Sequence, residues 1–207
     1  MTLLRTICAA LLAVLLSGPA LAALSERDRA DIARVTDYLQ DIRSLSARFV
    51  QIGPNGELAN GTLYLRRPGR LRFEYNPPTP LLVVADGTWL VLHDTELDQV
   101  NRWPVNSTPL GVLVADKIDL ESDVEVVRVA RRPGVLSLTI VDRDAPDEGA
   151  IELVFSEPAL SLRQWHVRDA QGGITNVSLS ETKLNVDLPP TLFHFDHFRS
   201  ETDRFRR

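Results

Sequence analysis

The sequence has little cysteine and little lysine. Its 207 residues include one cysteine, Cys8, and two lysines, Lys117 and Lys183. Because Cys8 lies in an apolar stretch near the N-terminus, the rest of the chain offers no thiol for a disulfide, a nucleophile or a metal site. The formal net charge of −5 gives no basic field that would collect phosphates. These features argue against a nucleic-acid-binding protein and against a fold held by disulfides.

Motifs of the common enzyme classes are also missing. The sequence has no Gly-x-Ser-x-Gly, no His-Glu-x-x-His, no phosphate-binding loop and no Gly-x-Gly-x-x-Gly. The one grouping of metal-ligand residue types is His194, Asp196 and His197. On a strand the two histidines would point to opposite faces, so we interpret them as tail residues beside packed phenylalanines. We therefore expect no catalytic residue, no metal and no cofactor.

The N-terminal segment has the layout of a secretory signal peptide. Arg5 gives it a positive start, residues 7–16 are uncharged and apolar, and Ala20-Leu21-Ala22 is a small-x-small cleavage site. An apolar run of ten residues spans only about 15 Å of a hydrocarbon core roughly 30 Å thick, so a transmembrane anchor does not fit. We expect residues 1–22 to be removed and residues 23–207 to form one domain.

Residues 25–45 have the pattern of a single amphipathic helix. Ser25 and Asp28 have the spacing of a capping box at its start. We expect the helix to pack on a sheet by one apolar stripe. That stripe has a +3, +4, +3 spacing and consists of Ile32, Val35, Leu39 and Ile42.

A two-residue periodicity begins at Ala47. About ten or eleven short strands follow, separated by turn sequences such as Asp86-Gly87 and Gly172-Gly173. Because helices do not alternate with these strands, a parallel sheet does not fit. We predict a mostly β protein with some α structure, built on one strongly curved antiparallel sheet or a partly closed barrel. One segment, residues 108–115, is apolar all round after Thr108-Pro109 and predicts a short, covered helix.

Arg67 is the charged residue on an otherwise apolar face. It lies in the turn between two strands, among odd-numbered apolar residues that run from Leu63 to Tyr75. The pattern leaves two interpretations open. The guanidinium could swing from the turn to water, with its stem along the apolar face. Alternatively, it could face a concavity and donate to backbone carbonyls or to an anionic ligand.

Six motifs occur in order along the chain. The most recognisable is Gly61–Tyr75, in which Arg67-Pro68 joins two strands. The others are Ser44–Gln51 with its Phe-x-Gln, Val84–Leu90, Thr108–Leu113, Gln171–Thr175 and Leu192–Phe195. Together they resemble the outer-membrane lipoprotein carrier family, the LolA-like proteins of Gram-negative bacteria.

The resemblance implies an unclosed β-barrel whose concave apolar side is covered by the N-terminal helix and the short internal helix, acting as a lid. It implies a periplasmic chaperone that shelters the acyl chains of lipoproteins, with Arg67 holding the lid closed through hydrogen bonds to its backbone. Leu71 occupies a position that is usually a larger aromatic residue in the family. The residues expected to line the cavity are Phe49, Leu63, Leu65, Leu71, Phe73, Tyr75, Val83, Trp89, Val91, Leu110, Leu113, Leu138, Leu153 and Phe155.

The resemblance also implies partners. These are acylated lipoproteins, an inner-membrane lipoprotein-releasing ABC transporter, and either an outer-membrane acceptor lipoprotein or the outer membrane itself, all served by a monomer. Two other functions remain open because a fold does not fix a function. One is a periplasmic module that senses lipid or peptide on the same half-barrel. The other is a hydrolase of lipid or envelope polymer, against which the missing nucleophile counts.

Overall fold

The computed structural model describes residues 24–108, 110–120 and 124–195. The predicted signal peptide, Pro109, Asp196 and His197 lie outside the described residues. No described helix has the length and apolar character needed to cross a membrane.

Helix α1 spans Glu26–Asp41 and begins at the predicted capping box. The Ser25 hydroxyl accepts a hydrogen bond from the Asp28 amide at 3.1 Å, and the Asp28 carboxylate accepts one from the Ser25 amide at 2.9 Å. The helix ends at Asp41 rather than at residue 45, where the sequence predicted its end. Ile42 is already extended, and the first strand begins at Ser44.

Eleven strands follow α1, and a second, four-residue helix lies between the sixth and the seventh. This helix, α2, spans Gly111–Val114 and is shorter than the predicted segment 108–115. A 3-10 turn, Val105–Ser107, precedes it. The strands are β1 (Ser44–Ile52), β2 (Leu58–Arg66), β3 (Arg70–Tyr75), β4 (Leu81–Asp86), β5 (Trp89–Asp94), β6 (Gln99–Pro104), β7 (Glu125–Arg132), β8 (Val135–Val141), β9 (Gly149–Ser156), β10 (Ser161–Asp169) and β11 (Ile174–Leu184).

All eleven strands form one antiparallel sheet. Its order is β6-β5-β4-β3-β2-β1-β11-β10-β9-β8-β7, so the first and last strands of the chain pair in its middle. The edge strands β6 and β7 are consecutive in the chain but are not paired with each other in the described structure. The sheet is therefore not closed, and the predicted unclosed antiparallel barrel with its two helices is confirmed.

Different parts of the chain cover the two faces of the sheet. Helices α1 and α2 cover the concave face, where Leu63 and Leu138 are at most 1% exposed. The segment after β11 contains a 3-10 turn, Pro190–Phe193. This turn contacts β3 and β4. It is held on the convex face by Arg72, which donates from Nη1 to the Leu192 carbonyl oxygen at 3.2 Å. The main core thus lies between the concave face and the helices.

Candidate functional site

The side chain of Arg67 lies against the backbone of both helices. Its Nε and Nη2 donate to the Leu113 carbonyl oxygen of α2 at 3.1 and 2.9 Å, and its Nη1 donates to the Leu39 carbonyl oxygen of α1. The residue is 8% exposed. Of the two interpretations that the sequence left open, the structure shows the second, in which the guanidinium faces a concavity and bonds to backbone carbonyls.

The turn that carries Arg67 supplies donors to the end of α2. The last carbonyls of a helix have no partner within it, so in the four-residue helix α2 the carbonyls of Leu113 and Val114 need donors from elsewhere. Arg67 satisfies the Leu113 carbonyl, and the Gly69 amide donates to the Val114 carbonyl at 2.7 Å. The positive charge of Arg67 also suits the negative end of a helix dipole.

Burial changes the acid–base behaviour of Arg67. Burial, and then the nearby charge of Arg43, lower the pKa of the guanidinium to about 10. At neutral pH Arg67 is still positively charged. Within the described ranges no carboxylate forms an ion pair with it, so the carbonyl bonds are what compensates its loss of water.

Gln40 makes a second polar contact, between α1 and the chain after α2, and the sequence analysis did not identify it. Its Nε2 donates to the Asp116 carbonyl oxygen at 3.2 Å, and its Oε1 accepts from the Ile118 amide at 2.8 Å. The residue directly follows Leu39, whose carbonyl oxygen is bonded by Arg67. A polar residue in a surface helix has no periodic pattern that could identify such a role.

A small apolar space lies beneath Arg67, between the helices and the sheet. We call it the inner space, and its volume is about 20 Å³. A cavity needs roughly 10–15 Å³ to hold one water molecule, so the inner space has no room for a hydrocarbon chain. Of the predicted lining residues, those that meet here are Leu63, Leu65, Leu71, Leu110 and Leu113.

A larger opening, the mouth cavity, lies beside the inner space and has a volume of about 270 Å³. The predicted residues Phe73, Tyr75, Val83 and Leu110 line it, together with Trp165, which the sequence analysis did not select. Leu110 lines both the inner space and the mouth cavity, so α2 begins at the boundary between them.

Aromatic rings form one wall of the mouth cavity. Phe73 lies edge-on to Phe49 and to Trp165, with centroid distances of 5.0 and 6.3 Å. The Tyr75 hydroxyl donates to Oε1 of Gln51 at 2.9 Å, and burial raises the pKa of Tyr75 to about 12. The wall is therefore apolar and neutral.

A third opening, the side cavity, lies on the other side of α2 and has a volume of about 260 Å³. Ile140 and Ile151 from β8 and β9 form part of its apolar lining, and Lys117 and Asp142 belong to its polar lining. Because Gly111 and Val112 line the side cavity as well, α2 stands between all three spaces.

The remaining predicted lining residues divide into two groups. Phe49, Leu138, Leu153 and Phe155 are at most 1% exposed and belong to the core under α1. Trp89 and Val91 do not join them, because they lie on the convex face of β5.

The position of Trp89 and Val91 corrects the sequence analysis. Leu90, between them, lies in the core, whereas Val91 pairs with Arg102 of β6 on the other face. The Arg102 guanidinium lies 5.2 Å from the centre of the Trp89 ring. Both faces of β5 are apolar, so alternation alone could not show which face is concave.

No group of three or more potential metal-ligating side chains occurs among the described residues. His194 is exposed and lies after the 3-10 turn at Pro190–Phe193. His93 and His166 each contact one carboxylate, of Asp98 and Glu152 respectively, at 3.2 Å. The interactions that the described site offers are apolar contacts and hydrogen bonds to backbone carbonyls.

Known proteins have sequences similar to this one over most of its length. The family of the outer membrane lipoprotein carrier protein LolA matches residues 40–196. The outer-membrane lipoprotein carrier protein of Dechloromonas aromatica is 30% identical over 173 residues, covering 79% of this chain and 82% of that protein. The protein of the same name from Legionella pneumophila is 31% identical over 167 residues, covering 76% and 81%.

A solved structure of a LolA superfamily protein from Nitrosomonas europaea aligns with a TM-score of 0.44 and 12% identity, covering 80% of this chain and 98% of the other. The family match spans well over half of the chain and includes Gln40, Arg67 and α2, whereas most of α1 precedes it. The chain belongs to the outer membrane lipoprotein carrier protein family, LolA.

Proposed function

We propose that this protein is a periplasmic carrier that takes lipoproteins from the inner to the outer membrane and shelters their acyl chains on the concave face of its sheet. The observation that carries the proposal is the apolar inner space fastened shut by Arg67. The names of the relatives from Dechloromonas aromatica and Legionella pneumophila agree with this function.

Apolar burial supplies the free energy for loading. Each CH₂ group removed from water contributes about 0.8 kcal/mol, so three fully enclosed acyl chains would contribute tens of kcal/mol. A carrier must also release its cargo. Breaking the Arg67 hydrogen bonds on loading would offset part of the gain, and re-forming them would favour release.

In the described conformation the helices are closed over the inner space. The inner space of about 20 Å³ cannot accept an acyl chain without a separation of its cover from the sheet. The mouth cavity and the side cavity, about 270 and 260 Å³, flank that cover and would join the inner space if α2 moved away. Loading therefore requires a conformational change around α2.

The proposed function implies a partner at each membrane. An inner-membrane lipoprotein-releasing ABC transporter would supply the cargo, and an outer-membrane acceptor lipoprotein or the outer membrane itself would receive it. One monomer would carry one lipoprotein.

Purification from the native periplasm tests the function directly. We expect intact mass measurements to find triacylated protein bound to the purified chain. A stoichiometric partner without acyl chains would instead support a sensing module, and turnover of a lipid or envelope polymer would support a hydrolase.

Arg67→Leu tests the role of Arg67 as a latch. We expect this variant to stay open more often and to retain cargo that the wild type releases to acceptor membranes. Arg132→Leu is a matched control, because Arg132 has the same place in a second Arg-Arg-Pro-Gly turn but is exposed. Unchanged opening, loading and release in Arg67→Leu would contradict the latch.

A further inference from the structure

We propose that α1 is a fixed wall of the carrier and that the moving cover is the segment 110–120, with Gln40 as a second fastening beside Arg67. We call this segment the flap. The reason for such a movement rests on the proposed function. Which segment moves can be tested on the protein without cargo.

The N-terminal half of α1 is held by charged contacts to two turns of the sheet. Arg131, at the β7–β8 turn, donates from Nε to the Asp31 carboxylate at 2.7 Å and lies 2.8 Å from the Asp28 carboxylate. Arg34 lies 2.7 Å from Asp31 and 3.0 Å from Glu157 in the β9–β10 turn. Because Asp31 is 8% exposed, its pair with Arg131 is screened less than a pair between two exposed groups.

The middle of α1 is held by Tyr38. Its hydroxyl oxygen accepts from the Leu162 amide of β10 at 3.0 Å. Its ring meets Phe155 of β9 edge-on, with the centroids 5.8 Å apart. Beside it, Val35 and Leu39 are at most 1% exposed, so lifting this part of the helix would open the main core.

The C-terminal end of α1 is held by Asn185, which follows β11. The side-chain Nδ2 of Asn185 donates to the Asp41 carbonyl oxygen at 3.1 Å, and its Oδ1 accepts from the Arg43 backbone amide at 2.8 Å. Helix α1 is thus fastened to the sheet at its start, middle and end.

The flap has a different attachment. It contains no regular element longer than the four residues of α2, and it lies between β6 and β7, the two edges of the sheet. Moving it would expose Val114 and Leu120, which are 1% exposed, but would break no strand pairing. Arg67 and the Gly69 amide, at the β2–β3 turn, bond to the end of α2. Gln40 of α1 bonds to Asp116 and Ile118 of the flap.

Gln40 and Arg67 fasten the flap at two successive points. Arg67 bonds to the Leu113 carbonyl, whereas the amide of Gln40 bonds to the backbone of Asp116 and Ile118 through both of its ends. Since Gln40 lies on the fixed helix, the flap closes against α1 rather than moving with it.

Hydrogen exchange of the cargo-free protein, measured by NMR, tests this division. We expect the amides of Leu113 and Ala115 to exchange faster than those of Val35 and Leu39. In Gln40→Met, which keeps side-chain length and helix propensity, we expect exchange of Leu113 and Ala115 to rise about tenfold and α1 to be unchanged. Gln40 makes no bond to the Leu113 or Ala115 amides, whose acceptors are Leu110 and Gly111, so a purely local role would leave them unaffected.

Two further variants complete the test. Gln171→Met removes an exposed glutamine in the β10–β11 turn and should leave the whole pattern unchanged. Arg131→Gln should accelerate exchange in the first turns of α1 without accelerating the flap. Equal exchange of α1 and the flap in the wild type, or equal acceleration of both by Arg131→Gln, would show a single moving lid and overturn the proposal. Because no cargo is used, a failure of the carrier function would appear separately, as a chain that binds no acylated protein.

Discussion

Phe49 of β1 lies edge-on to Phe73 of β3, with 5.0 Å between ring centroids and 86° between ring planes, although β2 runs between the two strands. Gly61 of β2 makes this possible, because it pairs with Phe49 on one side and with Tyr75 on the other. A Cβ at Gly61 would be 2.9 Å from the Phe49 ring. The aromatic wall of the mouth cavity therefore depends on a glycine in the central strand.

Phe49→Ala should be one of the most destabilising substitutions in the chain. The ring is 1% exposed and contacts both Phe73 and Tyr75, so its loss leaves a cavity in the core. We expect the free energy of unfolding in urea to fall by about 3–5 kcal/mol. Leu97→Ala, at a side chain 64% exposed, should change it by less than about 0.5 kcal/mol. Similar losses in both variants would contradict the packing described here.

Gly69→Ala should cost more than Gly56→Ala. Both glycines have positive φ, 71° and 83°, so both substitutions carry a backbone penalty of about 1 kcal/mol. At Gly56 a Cβ would meet nothing within 4 Å, whereas at Gly69 it would be 2.7 Å from the Gly87 Cα. We expect urea unfolding to show an additional loss of about 1–3 kcal/mol for Gly69→Ala. Equal losses would mean that the two turns can separate freely.

Acid should remove the contribution of Asp28. Hydrogen bonds from Ser25, and then the contact with Arg131, lower the pKa of Asp28 from 3.8 to about 2. A folded pKa below the unfolded value means that this stabilisation is complete above the unfolded value and is lost as pH falls through about 2. We expect wild type and Asp28→Asn to differ in stability at neutral pH and to converge between pH 4 and pH 2 in urea unfolding. A difference that persists at the lower limit would contradict this assignment.

Leu71→Phe should disfavour the closed state. Leu71 is 2% exposed and borders the inner space, which at about 20 Å³ has no room for a ring. We expect the larger side chain to strain the closed packing by about 1–3 kcal/mol. Faster hydrogen exchange at Leu113 would report this. Leu71→Met, of similar volume, should leave that exchange nearly unchanged.

Local sequence features predicted the local structure well. The capping box at Ser25 depends on residues three apart, and the apolar stripe of α1 on residues within one helix, so both could be identified before the fold was known. The alternation of neighbouring residues also limited the Arg67 guanidinium to two environments, water or a concavity lined by backbone carbonyls. The choice between them depended on Leu39 and Leu113, which are distant in the chain.

Contacts between distant segments could not be predicted in this way. Arg131 is 100 residues from Asp31, and Ile118 is 78 residues from Gln40. No periodic pattern links such pairs. Trp89 and Val91 were wrongly assigned to the cavity because β5 is apolar on both faces, and only the complete fold shows which face the helices cover.

The pairing of β1 with β11 has a consequence for how the chain reaches this structure. Strands β1–β6 and β7–β11 can each assemble from neighbours in sequence, but Phe49 meets its partner Leu179 only after nearly the whole chain is available. Joining the two halves requires the entropy loss of closing one very long loop. Before the two halves join, the chain would thus possess two separate meanders, and the continuous surface that α1 rests on would arise last.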